Sequence, residues 1–160
     1  MSRPSTLSPP QVEIDTYIHK ALRRRGLEPR TIGTTDYPDR LPLWEARNII
    51  GHSYGGVVLG FEQTRILTGV SKPGTTHEEP ISSSVPLPTP WNQLEAGIMV
   101  QLDLPLLIFR ESGVEGGIFD LGVTDAFIHL MPVPGRREDR AFKQILDRFT
   151  DRVRQRYYPA

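Results

Sequence analysis

At 160 residues the chain is long enough for one domain with a hydrophobic core and too short for two. Nineteen Lys and Arg balance nineteen Asp and Glu, so no net positive field gathers nucleic acid or an anionic membrane surface. The absence of cysteine excludes disulfides, thiolate metal sites and cysteine nucleophiles, and leaves the cytoplasm as the default compartment.

In chain order, residues 1–10 lack the apolar run of a signal peptide, and no later stretch reaches the roughly 18 apolar residues of a membrane span. Over residues 11–25, Ile14, Ile18 and Leu22 recur every fourth position beside Tyr17 and Ala21, the stripe of an amphipathic helix that Gly26 closes. Residues 27–32 read as a strand, 33–39 as a turn and 43–50 as a second helix. The run Gly56-Val57-Val58-Leu59-Gly60 is apolar throughout, as expected of a central strand covered on both faces. Residues 70–90 contain five prolines and no sustained period, so they form either a lid or a disordered insert. Thr89 and Pro90 are an N-cap and first-turn pair that opens a helix over 91–102. Apolar strands follow at 105–109 and 127–131, and a final helix over 139–157 aligns Phe142, Ile145, Leu146, Phe149 and Val153 on one face.

Helices alternating with short apolar strands predict a mainly parallel sheet wrapped on both sides, the three-layer doubly wound class. Such a domain opens with a strand, yet only a Pro- and Ser-rich segment precedes the first helix. Either that strand is very short or truncated, or Met1 is an internal methionine of a longer product; the second is favoured.

On the 91–102 helix the three-and-four spacing puts Trp91, Glu95, Ile98, Met99 and Leu102 on one face. Four of these belong in a core and Glu95 does not. A carboxylate against apolar surface carries a desolvation cost of a few kcal/mol unless it is paired, protonated or facing a polar cleft. An arginine ion pair or a stripe-edge position reaching solvent is the bland alternative to a ligand cleft at the carboxyl end of the sheet.

Trp91-Asn92-Gln93-Leu94-Glu95-Ala96-Gly97 with Pro105-Leu106-Leu107-Ile108 resembles the bacterial TIR-like nucleotide-binding proteins. The likeness is supported by Pro4-Ser5, Gln11, the Arg25-to-Gly33 stretch and Val58-Leu59-Gly60-Phe61. These proteins are similar in turn to the nucleoside 2-deoxyribosyltransferases, in which a Glu-x-Gly on a helix precedes an apolar strand. The resemblance implies a flavodoxin-like α/β/α domain over 1–160, with the Pro-rich loop at 70–90 as an insertion. It also implies cleavage of an N-glycosidic bond, with Glu95 acting on the ribose. NAD is then a substrate rather than a cofactor, and the expected setting is bacterial antiphage defence by a self-associating protein.

The expected substrate-binding residues are Arg3, Pro4 and Ser5 before the first helix, Tyr37 in the turn, Gly60 and Phe61 at a strand end, and Trp91 and Asn92 beside the glutamate. Each has a plainer reading: Trp91 as core, Gly60 as a strand end, Asn92 as support for the helix start. Arg30 and Arg47 are candidate phosphate partners or surface cations. His77-Glu78-Glu79 lacks a second histidine at helical spacing and does not read as a metal site. Two other functions stay open: nucleoside base transfer or hydrolysis by the same glutamate, and a nucleotide-binding or assembly domain without turnover.

Overall fold

The computed structural model describes residues 1–31 and 42–158. The first helix, α1 (Pro9–Arg23), starts at Ser8, whose backbone N–H donates to the Gln11 side chain at 3.0 Å. It stops where Gly26 takes a left-handed φ of 75°, which lets Leu27 N–H reach back to Leu22 O at 3.2 Å. Helix α2 (Pro42–Gly51) leads into strand β1 (Gly56–Gly60), buried along its whole length. Helix α3 (Pro90–Gln101), with Thr89 accepting from Trp91 N–H, precedes strand β6 (Leu106–Arg110). Strand β7 (Ile128–Leu130) and helix α4 (Arg140–Tyr157), capped by Asp139, complete the frame.

The sheet is parallel, β1 pairing with β6 and β6 with β7. On the far side of β1, Ser2 forms a one-residue parallel bridge to Val58: its N–H donates to Val57 O at 2.8 Å and its carbonyl accepts from Leu59 N at 2.9 Å. The Met1 amino group in turn donates to the Arg30 carbonyl. With the Ser2 bridge the order is Ser2, β1, β6 and β7, consistent with a flavodoxin-like α/β fold. Where a first strand would lie, Ser2 makes this single isolated bridge. The strand expected over 27–32 does not form in its described part, 27–31, and the turn at 33–39 lies outside the described residues.

Helices pack on both faces. Against α1 and α4 lie Val57, Leu59, Phe61, Leu107 and Phe109; against α2 and α3 lie Val58, Leu106 and Ile108. The alternation along β1 and β6 explains their unbroken apolar runs, since every residue has a helix to face. At the outer seam between α1 and α4, Arg25 makes a bidentate pair with Glu138 at 3.1 and 2.7 Å and a further bond to Asp147 at 2.9 Å. The guanidinium holds the Glu138 carboxyl below its usual range, and the Lys143 ammonium, with Arg25 second, does the same for Asp147.

Residues 64–87 correct the disordered reading. Strands β2 (Thr64–Ile66) and β5 (Val85–Leu87) pair antiparallel, and beyond them β3 (Val70–Ser71) pairs with β4 (Glu79–Pro80). Together they make a two-tier hairpin arm that leaves the carboxyl end of β1 and returns into α3. At the base β5 is half-buried and β2 largely exposed, and both strands towards the tip are exposed.

Candidate functional site around Glu95

The buried residues of α3 are Asn92, Ala96 and Met99, spaced four and three apart. The inward face is therefore turned by about one residue from the expected stripe. Trp91 and Leu102, read as core positions, are 41% and 38% exposed, and Glu95 flanks the buried line, half-buried. The physical reason is at Asn92, which is fully buried because its amide has a partner: Nδ2 donates to Ser2 Oγ at 2.9 Å. Its Oδ1 finds no protein donor among the described residues.

That bond orients the serine. With Asn92 donating to its oxygen, the Ser2 hydroxyl favours the ionised form of Glu95. Burial acts more strongly in the opposite sense and pushes the Glu95 carboxyl above its ordinary range, while the Met1 ammonium pulls weakly down. Among the described residues no arginine or lysine side chain is paired with Glu95. Its carboxylate adjoins a cavity of about 30 Å³ between α2 and α3, walled by Ile49, Ile50, Met99, Met1 and Arg30. That is room for about one or two water molecules.

The other expected site residues are placed differently. Arg3 turns to α1, its Nε 3.3 Å from Asp15 Oδ1 and its Nη1 donating to Pro4 O at 2.8 Å. Pro4 is buried and Ser5 exposed. A Cβ added at Gly60 would lie 2.5 Å from the ring of Phe119, so the protein's own aromatic side chain covers this glycine. Phe61 is fully buried in the α1/α4 core. Arg47 is exposed, Arg30 lines the cavity, and Tyr37 lies outside the described residues. Asn92 is thus the member of the set tied to Glu95 through a shared partner.

At the carboxyl ends of β1 and β6, where a crevice was expected, Glu111 binds protein groups instead. It accepts from Glu62 N–H at 2.5 Å and from Gln11 Nε2 at 3.1 and 3.2 Å. His77, Glu78 and Glu79 sit exposed on the arm, and no group of three potential metal-binding side chains forms among the described residues.

Ser2 is the site residue that sequence reading missed. A single bridging residue leaves no periodicity, and only the requirement for a first strand points to the segment that holds it. Comparison with models of known protein families, with curated proteins and with solved structures finds no match to this chain.

Proposed function

We propose that this chain cleaves an N-glycosidic bond, with NAD as substrate and Glu95 as the group that meets the ribose. One observation carries the reading: a half-buried carboxylate without a cationic side-chain partner among the described residues, its ionised form favoured by a serine to which a buried asparagine donates. As nicotinamide departs, positive charge grows at the anomeric carbon, and a preorganised carboxylate stabilises it or adds to it. A pyridinium needs no proton to leave, so one carboxylate suffices where ordinary glycosidases use two. Ligand pockets run to several hundred Å³, so substrate entry requires α2 and α3, or the wall formed by Met1 and Arg30, to move.

The raised affinity of Glu95 for its proton favours a second reading, removal of a base from a nucleoside, where a neutral leaving group must be protonated. Self-association, a cytoplasmic site of action and a role in antiphage defence belong to the proposal through the TIR-like resemblance.

The test is nicotinamide release from NAD by concentrated protein, with nucleosides assayed in parallel. Glu95→Gln is expected to abolish release while the protein stays folded. Full turnover by this variant would remove Glu95 from the chemistry, and an unfolded variant would make its role structural. Accumulation of ADP-ribose or of a cyclic product distinguishes hydrolysis from cyclisation, and base release from nucleosides alone selects the second reading.

A further inference from the structure

A cavity much larger than the hollow at Glu95 adjoins it across Met1, Arg30, Ser53 and Gly55. It opens at the amino ends of the strands, where the ends of α1 and α4 diverge, and has a volume of about 520 Å³. That lies within the range of about 300–1,000 Å³ typical of small-molecule sites. Its floor is the underside of the α1/α4 core: Leu22, Val57, Phe149 and Val153. Gly55 keeps the floor low, because a Cβ there would come within 2.6 Å of Val153.

One wall is aromatic. Tyr157 packs edge-on against Tyr54, with ring centroids 4.7 Å apart, and against Tyr158 at 4.5 Å. All three rings line the cavity while staying substantially exposed. Clustered tyrosines give a large contact area at small entropic cost, and their mutual packing fixes them before a ligand arrives.

The charge at the rim is positive. Arg154 is held in place by a bond from Nη2 to Arg25 O at 2.8 Å, and among the described residues no carboxylate pairs with it. A guanidinium has five N–H donors, so this tether leaves others for a ligand. The one side-chain carboxylate in the lining, Glu28, is bonded to Arg23 at 3.0 Å. His52 adds a ring whose Nδ1 is taken up by Asn48 O at 2.8 Å.

We infer that this cavity binds a small aromatic anion, its ring body against the tyrosines and apolar floor and its acid group on Arg154. The apolar floor and tyrosine wall call for a flat, hydrophobic body, and the arginine for a carboxylate, sulfonate or phosphate. The inference stands apart from the chemistry proposed at Glu95, and holds or fails without it.

The probe is 8-anilinonaphthalene-1-sulfonate, titrated by fluorescence into the full chain, with the uncharged N-phenyl-1-naphthylamine as the matched body without the acid. The sulfonate is expected to saturate at one site per chain. Arg154→Gln should weaken it about tenfold and leave the neutral compound within about twofold, whereas Tyr157→Ala should weaken both. Circular dichroism checks that each variant is folded. Should Arg154→Gln not fold, Tyr157→Ala, which leaves the Arg154 tether intact, decides the matter. Absence of saturable binding overturns the inference. So does fluorescence that neither substitution changes, which would put the probe on exposed apolar residues such as Phe127 and Leu130 instead.

Discussion

Burial beside Ile49, Ile50 and Met99 makes Glu95 sensitive to pH in two measurable ways. The proposed cleavage of NAD needs the carboxylate, so under that proposal the acid limb of kcat/KM should lie above the ordinary carboxylate range. Ser2→Ala removes the hydroxyl that favours the ionised form and should move this limb further towards neutral pH. An unmoved limb in an active Ser2→Ala protein would detach Ser2 from the carboxylate. Stability runs the other way. The folded state holds the Glu95 proton more tightly than the unfolded chain does, so stability falls as pH climbs from the ordinary carboxylate value through the raised one. Glu95→Gln should therefore melt no lower than the parent at pH 7.5, and any gain should vanish below about pH 4, where both states are protonated. A loss of many degrees at pH 7.5 would contradict this. The misplaced carboxylate was legible in the sequence because its neighbours on the helix were apolar. The direction of its helix was not: Asn92 reads as a ligand contact or as support for the helix start until its amide meets Ser2, and Trp91 looks like core although Asn92 takes the inward position.

Among the elements, those that could be read in advance are the ones whose burial leaves a pattern. Helix α4 shows it through Phe142, Leu146, Phe149 and Val153, and β1 and β6 through apolar runs that mirror the helices on either side. The arm left none. Its strands are two or three residues long and largely exposed, so no inward side chains alternate with outward ones, and its prolines look like breakers. Helix α3 also contains Gly97, the glycine of the Glu-x-Gly resemblance, which is exposed and has open space where a Cβ would point. Alanine fits that space and costs the unfolded chain more of its freedom. Gly97→Ala should raise stability by about 0.5–1 kcal/mol in urea denaturation. A decrease would show that this face of α3 requires the bare backbone.

For the molecule as a whole, the arm and the sheet are separable on paper: Gln63 N–H donates to Leu87 O at 2.8 Å, which brings the two ends of the hairpin together. Replacing residues 65–86 by a two-residue Asn-Gly turn should close the gap and keep the melting transition within a few degrees, still single and cooperative. A broadened or lost transition would mean that the arm braces the sheet. The amino end is the opposite case. Met1, Arg30, Ser53 and Gly55 line both the small hollow at Glu95 and the large cavity beside it at the amino ends of the strands, so the two spaces share a partition. Whatever is fused ahead of Met1 must leave through that partition. A purification tag attached there would press on both compartments at once, whereas one at the carboxyl-terminal end would crowd only the large cavity, whose wall includes Tyr157 and Tyr158.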